Sequence, residues 1–148
     1  MAEPLCPSQS CTYNGDAMKL RIHGNSIRSR ITQSEMAALV DGVRLEDSLQ
    51  FGPAQAEVLS YAVEISPRCS EVRAWYSKGI IQIILPVNLA RALAETNQVG
   101  IEHDQSISEG VTLKIVLEKD FQCFHPRPGE NESDNFPNPK PNQQMAKG

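Results

Sequence analysis

Alternating apolar and polar residues predict a hairpin near the start of the chain. In residues 18–23 (MKLRIH), Leu20 and Ile22 alternate with basic residues, and apolar alternation resumes after Gly24-Asn25. This dipeptide suits a two-residue turn because glycine takes positive φ readily. The apolar rows of both strands then share one face, as a half-buried hairpin requires. The opposite pairs predicted by such a turn are Ile22–Ile27, Arg21–Arg28 and Lys19–Arg30.

A helix is predicted directly after the hairpin. Thr32 and Glu35 have the spacing of a capping box, and Gly42 is a natural stop. Its buried stripe is Met36, Leu39 and Val40. Strands are predicted near 43–51 and 56–65, followed by a second hairpin (72–76 and 80–85). A second helix should begin at Pro86. A short strand is predicted at 99–101 and a longer one at 111–119. Residues 80–85 (IIQIIL) are apolar on both faces, which is typical of a strand in the sheet interior.

The two halves of the chain repeat one order: hairpin, helix, strand, strand. A single offset of 54 relates them without a gap, so that Thr32 corresponds to Pro86 and Glu64 to Glu118. Few residues are identical, so shared periodicity alone remains an alternative to duplication. The fold class predicted is α+β with two helices. Its strands, about seven or eight by this pattern, form a mostly antiparallel sheet or a partly closed barrel.

Composition limits the domain organisation and the partners. The 148 residues suffice for one domain. Residues 1–17 and 125–148 are polar or proline-rich and are predicted to be a disordered extension and an acidic tail, which leaves 18–124 as the domain. A net charge of −4 argues against nucleic-acid binding. No apolar run reaches the length of a membrane span, and no secretory signal is visible, so a cytoplasmic location is expected.

The first candidate site is the basic face of the first hairpin. Like charges directly opposite each other on a sheet are destabilising, so something should neutralise them. One interpretation is an anion held by the arginines, and another is internal pairing with Glu64 or Glu118. A solvated outer face is the third. The residues of this face are Lys19, Arg21, His23, Arg28 and Arg30.

The second candidate site is a set of thiols and imidazoles. Cys123 and His125 would point to the same side of an extended chain, and His103 or Cys69 could complete a zinc-type site. No metal-binding motif is present, and a small buried cysteine beside a loop histidine is the simpler interpretation. Expected cofactors are therefore none, with a transition metal such as zinc as the alternative.

The acidic tail is the third feature. Glu130, Glu132 and Asp134 alternate, but the glycine and closing glutamate of a calcium loop are missing. Phe136 could anchor the tail to the domain, or could insert into a partner. The tail could also lie across the basic hairpin.

Two resemblances bear on function. At LRIHGNSIRSRITQSE, LEKDFQC and ESDNFPNP the chain resembles a family of short uncharacterised bacterial proteins, from residue 18 to about 139. That family implies a bacterial, single-domain protein and no known activity. If the basic face pointed into a barrel, its architecture and charge would be similar to the triphosphate tunnel enzymes, although their E-x-E-x-K signature is absent from MKLRIH.

These observations support three hypotheses. The leading one is a non-enzymatic module that binds a small anion or an acidic peptide through the basic hairpin. The second is a metal-dependent hydrolase, such as a phosphohydrolase, that uses Cys123, His125 and His103. The third is a structural or oligomerisation domain in which residues 80–85 pair across a dimer; the sequence leaves the oligomeric state open.

Overall fold

The first predicted hairpin forms, with the predicted register. A computed structural model describes residues 12–13, 18–122 and 133–137. Strands β2 (Lys19–His23) and β3 (Ser26–Ile31) pair antiparallel around Gly24-Asn25. Gly24 has φ +57°, the left-handed conformation that favours glycine. The predicted opposite pairs Ile22–Ile27, Arg21–Arg28 and Lys19–Arg30 are all observed.

The first helix, α1 (Gln33–Val40), begins with the predicted capping box. The Thr32 backbone N–H donates to Glu35 Oε1 at 2.8 Å, and the Glu35 N–H donates to Thr32 Oγ1 at 3.4 Å. Met36 and Leu39 are buried as predicted, and Val40 is partly buried. Glu35 is also almost fully buried, which the apolar pattern did not indicate.

The remaining elements follow the predicted order. They are β4 (Arg44–Gln50), a 3₁₀ turn (Gln55–Glu57), β5 (Val58–Ser66), β6 (Arg73–Ser77), β7 (Ile80–Pro86), α2 (Val87–Glu95), β8 (Gly100–Ser108) and β9 (Val111–Lys119). Strand β8 is much longer than the predicted 99–101. A two-residue strand β1, Thr12–Tyr13, lies within the segment predicted to be disordered and pairs in parallel with Arg44–Leu45.

Among the described residues the strands form two open, mixed sheets, so the expected partly closed barrel is not observed. The first has the order β1-β4-β5-β7-β6 and the second β2-β3-β9-β8. The first half of the chain contributes three strands to the first sheet and two to the second, and the second half contributes two strands to each. The pairs that join the halves, β3–β9 and β5–β7, are parallel, so the sheets are less antiparallel than expected. Strand β7 is interior, as predicted, because it pairs with β5 on one side and with β6 on the other.

The offset of 54 reappears in the strand pairing. Ile27 pairs with Ile115, and Ile81, which is 54 residues after Ile27, pairs with Tyr61, which is 54 residues before Ile115. The two hairpins obey the same relation. The repeat does not extend to β4–β5 and β8–β9, because the first pair is joined by a 3₁₀ turn and the second by a tight turn. The structure thus has two interlocked halves.

One hydrophobic core fills the space between the sheets. The inner faces supply Ile31, Leu117, Val63 and Ile83, and the helices, which pack against each other, supply Leu39 and Leu93. The parallel strands place the carboxyl ends of β3 and β9 side by side at the start of α1. The hairpin turns lie at the opposite end of each sheet.

Candidate functional site

The predicted basic side chains lie together on the outer face of the second sheet. Directly opposite residues of a sheet share a face, and the register puts Arg21 beside Arg28 and Lys19 beside Arg30. Leu20 and Ile27 on the other face contribute to the core. We call the outer surface the basic hairpin face; it consists of Lys19, Arg21, His23, Arg28 and Arg30.

Glu118 of β9 neutralises part of this face. Arg28 Nη1 lies 3.1 Å from Glu118 Oε2, and Arg30 Nε lies 3.0 Å from the same oxygen. The Glu118 side chain is only 16% exposed, while the two arginine side chains are about 40% exposed. Internal pairing, one of the alternatives, therefore occurs for two of the arginines. It occurs on an open sheet face and not in a closed core.

The rest of the basic hairpin face keeps positive charge. Lys19 Nζ lies 3.1 Å from Asp120 Oδ2, and this lysine side chain is 58% exposed. Arg21 and His23 are exposed, and Arg21 has no ion pair among the described residues. Four cationic side chains thus face two carboxylates, Glu118 and Asp120. Arginine forks held by one carboxylate still present outward N–H donors to a second anion.

The opposite edge of the same sheet is acidic. On β8, Glu102 and Asp104 are exposed on the outer face and lie 3.4 and 3.7 Å from Lys114 Nζ. Charge is therefore separated across the sheet, positive at β2 and β3 and negative at β8. A field of this kind orients a charged partner toward one edge.

An apolar groove of about 340 Å³ opens beside the hairpin turns. Ile22 and Ile27 line it from the first hairpin, and Tyr76 and Ile81 line it from the second. Each residue of the first pair is related to one of the second by the offset of 54. Several large side chains around the groove are exposed: Ile22 (61%), Trp75 (48%), Tyr76 (66%) and Ile107 (52%).

Sequence patterns missed this groove. Alternation places Ile22 on the buried face, yet the strand extends beyond the edge of the core near its turn. Trp75 and Tyr76 point to opposite faces of β6, and both are solvent-accessible because β6 is an edge strand. The adjacent Trp-Tyr pair in a short strand was the available signal. Exposed apolar clusters of this kind mark interaction surfaces more often than isolated exposed residues do.

A group of buried carboxylates lies at the other end of the sheet. Burial raises the pKa of Glu35 to about 7 despite its hydrogen bonds from Thr32, and the nearby Asp134 and Asp120 raise it further. Asp120 is 4% exposed. Burial also raises the pKa of Tyr61, with Asp47 contributing, and lowers the pKa of Lys119.

The described part of the tail, residues 133–137, docks beside these carboxylates. Asp134 Oδ1 accepts from the Ser34 N–H at 3.1 Å, at the start of α1. The Phe136 N–H donates to the Asp120 carbonyl at 2.8 Å, and its ring meets Phe121 edge to face at 6.1 Å. Phe136 packs against the core, as expected for an anchor. This segment lies at the start of α1, and the predicted acids Glu130 and Glu132 fall outside the described residues.

The predicted metal ligands are only partly within the described structure. Cys123 and His125 lie outside it. Cys69 Sγ donates to the Glu71 carbonyl, and His103 Nε2 lies 3.9 Å from Glu71 Oε1. Over residues 18–122 and 133–137, no group of three potential ligands is arranged to hold a metal ion.

The fold is that of a small α+β protein with an exposed, partly neutralised basic face on one sheet. The chain belongs to a family of unknown function, DUF7009, whose model matches residues 18–140. The matched range agrees with the resemblance found in the sequence. No curated protein and no solved structure matches the chain. None of the helices within the described ranges could cross a membrane.

Proposed function

We propose that this protein is a non-enzymatic binding module whose basic hairpin face holds an anionic group of a partner. The observation that supports this most directly is the excess of cationic side chains over carboxylates on one exposed sheet face. Glu118 fixes Arg28 and Arg30 in place, so little side-chain entropy is lost when a second anion binds. Arg21 stands beside them with its charge uncompensated among the described residues.

The small-anion and acidic-peptide alternatives use the same donors. Inorganic phosphate and hexaglutamate are suitable probes, because the first tests anion binding alone and the second tests an acidic chain. Binding is followed through the arginine side-chain N–H resonances during titration at low salt, since exposed charges are screened at high ionic strength.

The variant Arg21→Ala should weaken binding of both probes by about fivefold, the loss expected for one partly screened charge-assisted contact. Glu118→Gln should strengthen it, because Arg28 and Arg30 lose their internal partner. Arg73→Ala is the matched control: Arg73 is also exposed on an edge strand but belongs to the other sheet. Equal affinities for all four proteins would contradict the proposal.

A further inference from the structure

Strand β2 lies at the edge of its sheet, and no described strand pairs with its outer side, which bears on the kind of partner it could bind. A two-residue turn makes the flanking residues His23 and Ser26 a hydrogen-bonded pair. Alternation then makes Arg21–Arg28 and Lys19–Arg30 hydrogen-bonded pairs as well. The backbone N–H and C=O groups of Leu20 and Ile22 therefore point away from β3, toward solvent.

The second hairpin confirms this alternation. Ala74 of β6 corresponds to Leu20 through the offset of 54, and the hydrogen bonds of its backbone N–H and C=O show that both groups point away from β7. The Ala74 N–H donates to Gln105 Oε1 at 2.9 Å, and Gln105 Nε2 donates to the Ala74 carbonyl at 2.8 Å. A side chain from β8 thus covers that edge. Among the described residues, no side chain covers the outward backbone groups of Leu20 and Ile22 in this way. On the same edge, just before β2, the Met18 carbonyl accepts from Tyr61 Oη at 3.4 Å.

An incoming strand would meet two different surfaces at this edge. Side chains on the outer face would lie beside Lys19 and Arg21, so acidic residues are favoured there. Side chains on the inner face would lie beside Leu20 and Ile22, and Ile22 borders the apolar groove, so apolar residues are favoured there. The two faces together select a segment in which acidic and apolar residues alternate.

A second copy of this chain does not fit. Pairing β2 with β2 of another copy in antiparallel register would set Arg21 against Arg21, and Lys19 against His23. Parallel pairing would set each basic residue beside itself. Like charges directly opposite are destabilising, and basic edge strands commonly prevent self-association. Charge complementarity therefore favours a different, acidic chain.

We infer that β2 accepts an added strand from a partner protein, an extended segment with alternating acidic and apolar residues. This rests on the proposed function and deepens it, since the basic hairpin face supplies the charge recognition. Main-chain hydrogen bonds to Leu20 and Ile22 supply affinity, and the alternating side chains supply specificity.

The test uses the full-length chain and the synthetic peptide acetyl-Gly-Glu-Val-Glu-Val-Glu-Gly-amide. Trp75 is the single tryptophan and lines the groove, so its fluorescence reports binding nearby. Backbone amide shifts of Leu20 and Ile22 report strand addition directly. The peptide should bind about tenfold more tightly than hexaglutamate, as gained backbone and apolar contacts predict.

Two N-methylated peptides separate strand addition from charge attraction. Methylating alternate amides removes the donors on one edge of the peptide, and methylating the others removes those on the second edge. One peptide should bind as the parent does and the other about tenfold more weakly. Equal binding of both, or amide shifts confined to β6 or β8, would overturn the inference.

Protein variants complete the design. Arg21→Glu should abolish peptide binding, and Arg73→Glu on the edge strand of the other sheet should leave it unchanged. If phosphate binds and the alternating peptide binds no better than hexaglutamate, strand addition fails while anion binding stands. If neither phosphate nor any acidic peptide binds, the proposed function fails as well.

Discussion

Glu35 combines two roles that oppose each other. Its side chain caps the start of α1, a role in which a carboxylate is favourable. It is also 1% exposed and close to Asp134 and Asp120, so ionisation is costly. The balance raises the pKa to about 7. The folded state therefore binds this proton more tightly than the unfolded chain does.

Stability should consequently fall as the pH rises from about 4.5 to about 7. The ordinary pKa of 4.5 lies below the folded-state value of about 7, so the contribution of Glu35 is fully present below pH 4.5. It is lost as the pH rises through 7. Glu35→Gln keeps the capping geometry and removes the charge. In urea unfolding at pH 8 this variant should be more stable than the wild type by about 2 kcal/mol, and near equal at pH 5.

Glu57→Gln provides the matched control for this prediction. Glu57 Oε1 accepts from the Ala54 N–H at 2.9 Å, which is the same capping contact, but Glu57 is exposed. Its substitution should leave the difference between pH 5 and pH 8 unchanged. If Glu35→Gln retained the wild-type pH dependence, Glu35 would not be the titrating group.

At the scale of elements, the docked tail segment acts as part of the fold. It receives hydrogen bonds from the start of α1 and bridges to Phe121 just beyond β9. Lys119 Nζ lies 5.2 Å from the centre of the Phe136 ring, which adds a cation–π contact. The family model also matches the chain as far as residue 140, so this segment lies within the matched range.

Phe136→Ala should therefore destabilise the protein. The ring is partly buried against the core, so a loss of about 1–2 kcal/mol is expected, less than for a fully buried phenylalanine. Phe51→Ala is the control, because Phe51 is 72% exposed and should change stability by less than about 0.5 kcal/mol. Chemical denaturation measures both. Equal effects of the two substitutions would show that the tail does not stabilise the domain.

At the scale of the whole molecule, the two halves are interlocked by parallel strand pairs. Each hairpin finds its sheet partner in the other half, through β3–β9 and β5–β7. Each half taken alone would lack the strand partners that it has across β3–β9 and β5–β7. Residues paired between β3 and β9 are 88 positions apart, as Ser26 and Lys114 are, so this pair forms only after a large loss of chain entropy.

If the chain is divided near residue 70, each of the two fragments should be unfolded when it is studied alone. Far-UV circular dichroism of residues 1–69 and of residues 70–148 should show little regular structure, and mixing them should restore the spectrum of the intact chain. Protected amides in an isolated half would contradict this, unless size measurements showed that the half had dimerised by using its own repeat as a partner.

Local periodicity determined much of this protein. The register of the first hairpin, the capping box at Thr32, the buried stripe of the first helix and the order of strands along the chain follow from residue spacing, because these features depend on neighbours within a few positions. The sequence also offered Glu64 and Glu118 as partners for the basic residues, since both lie off the apolar faces of their strands. Glu118 pairs with Arg28 and Arg30, whereas Glu64 pairs with Arg44 of β4. It left a single sheet and a partly closed barrel as alternatives, and the two open sheets observed match neither.

Only the tertiary structure decided which strands lie at sheet edges and where, among the described residues, charge is left uncompensated. Parallel pairing between the halves is set by packing of distant segments, so no local pattern encodes it. That pairing places Glu118 beside Arg28 and Arg30 and leaves Arg21 without a partner among the described residues. It also brings Ile22 and Tyr76 to one groove, because the exposure of an apolar residue depends on where the opposing sheet ends.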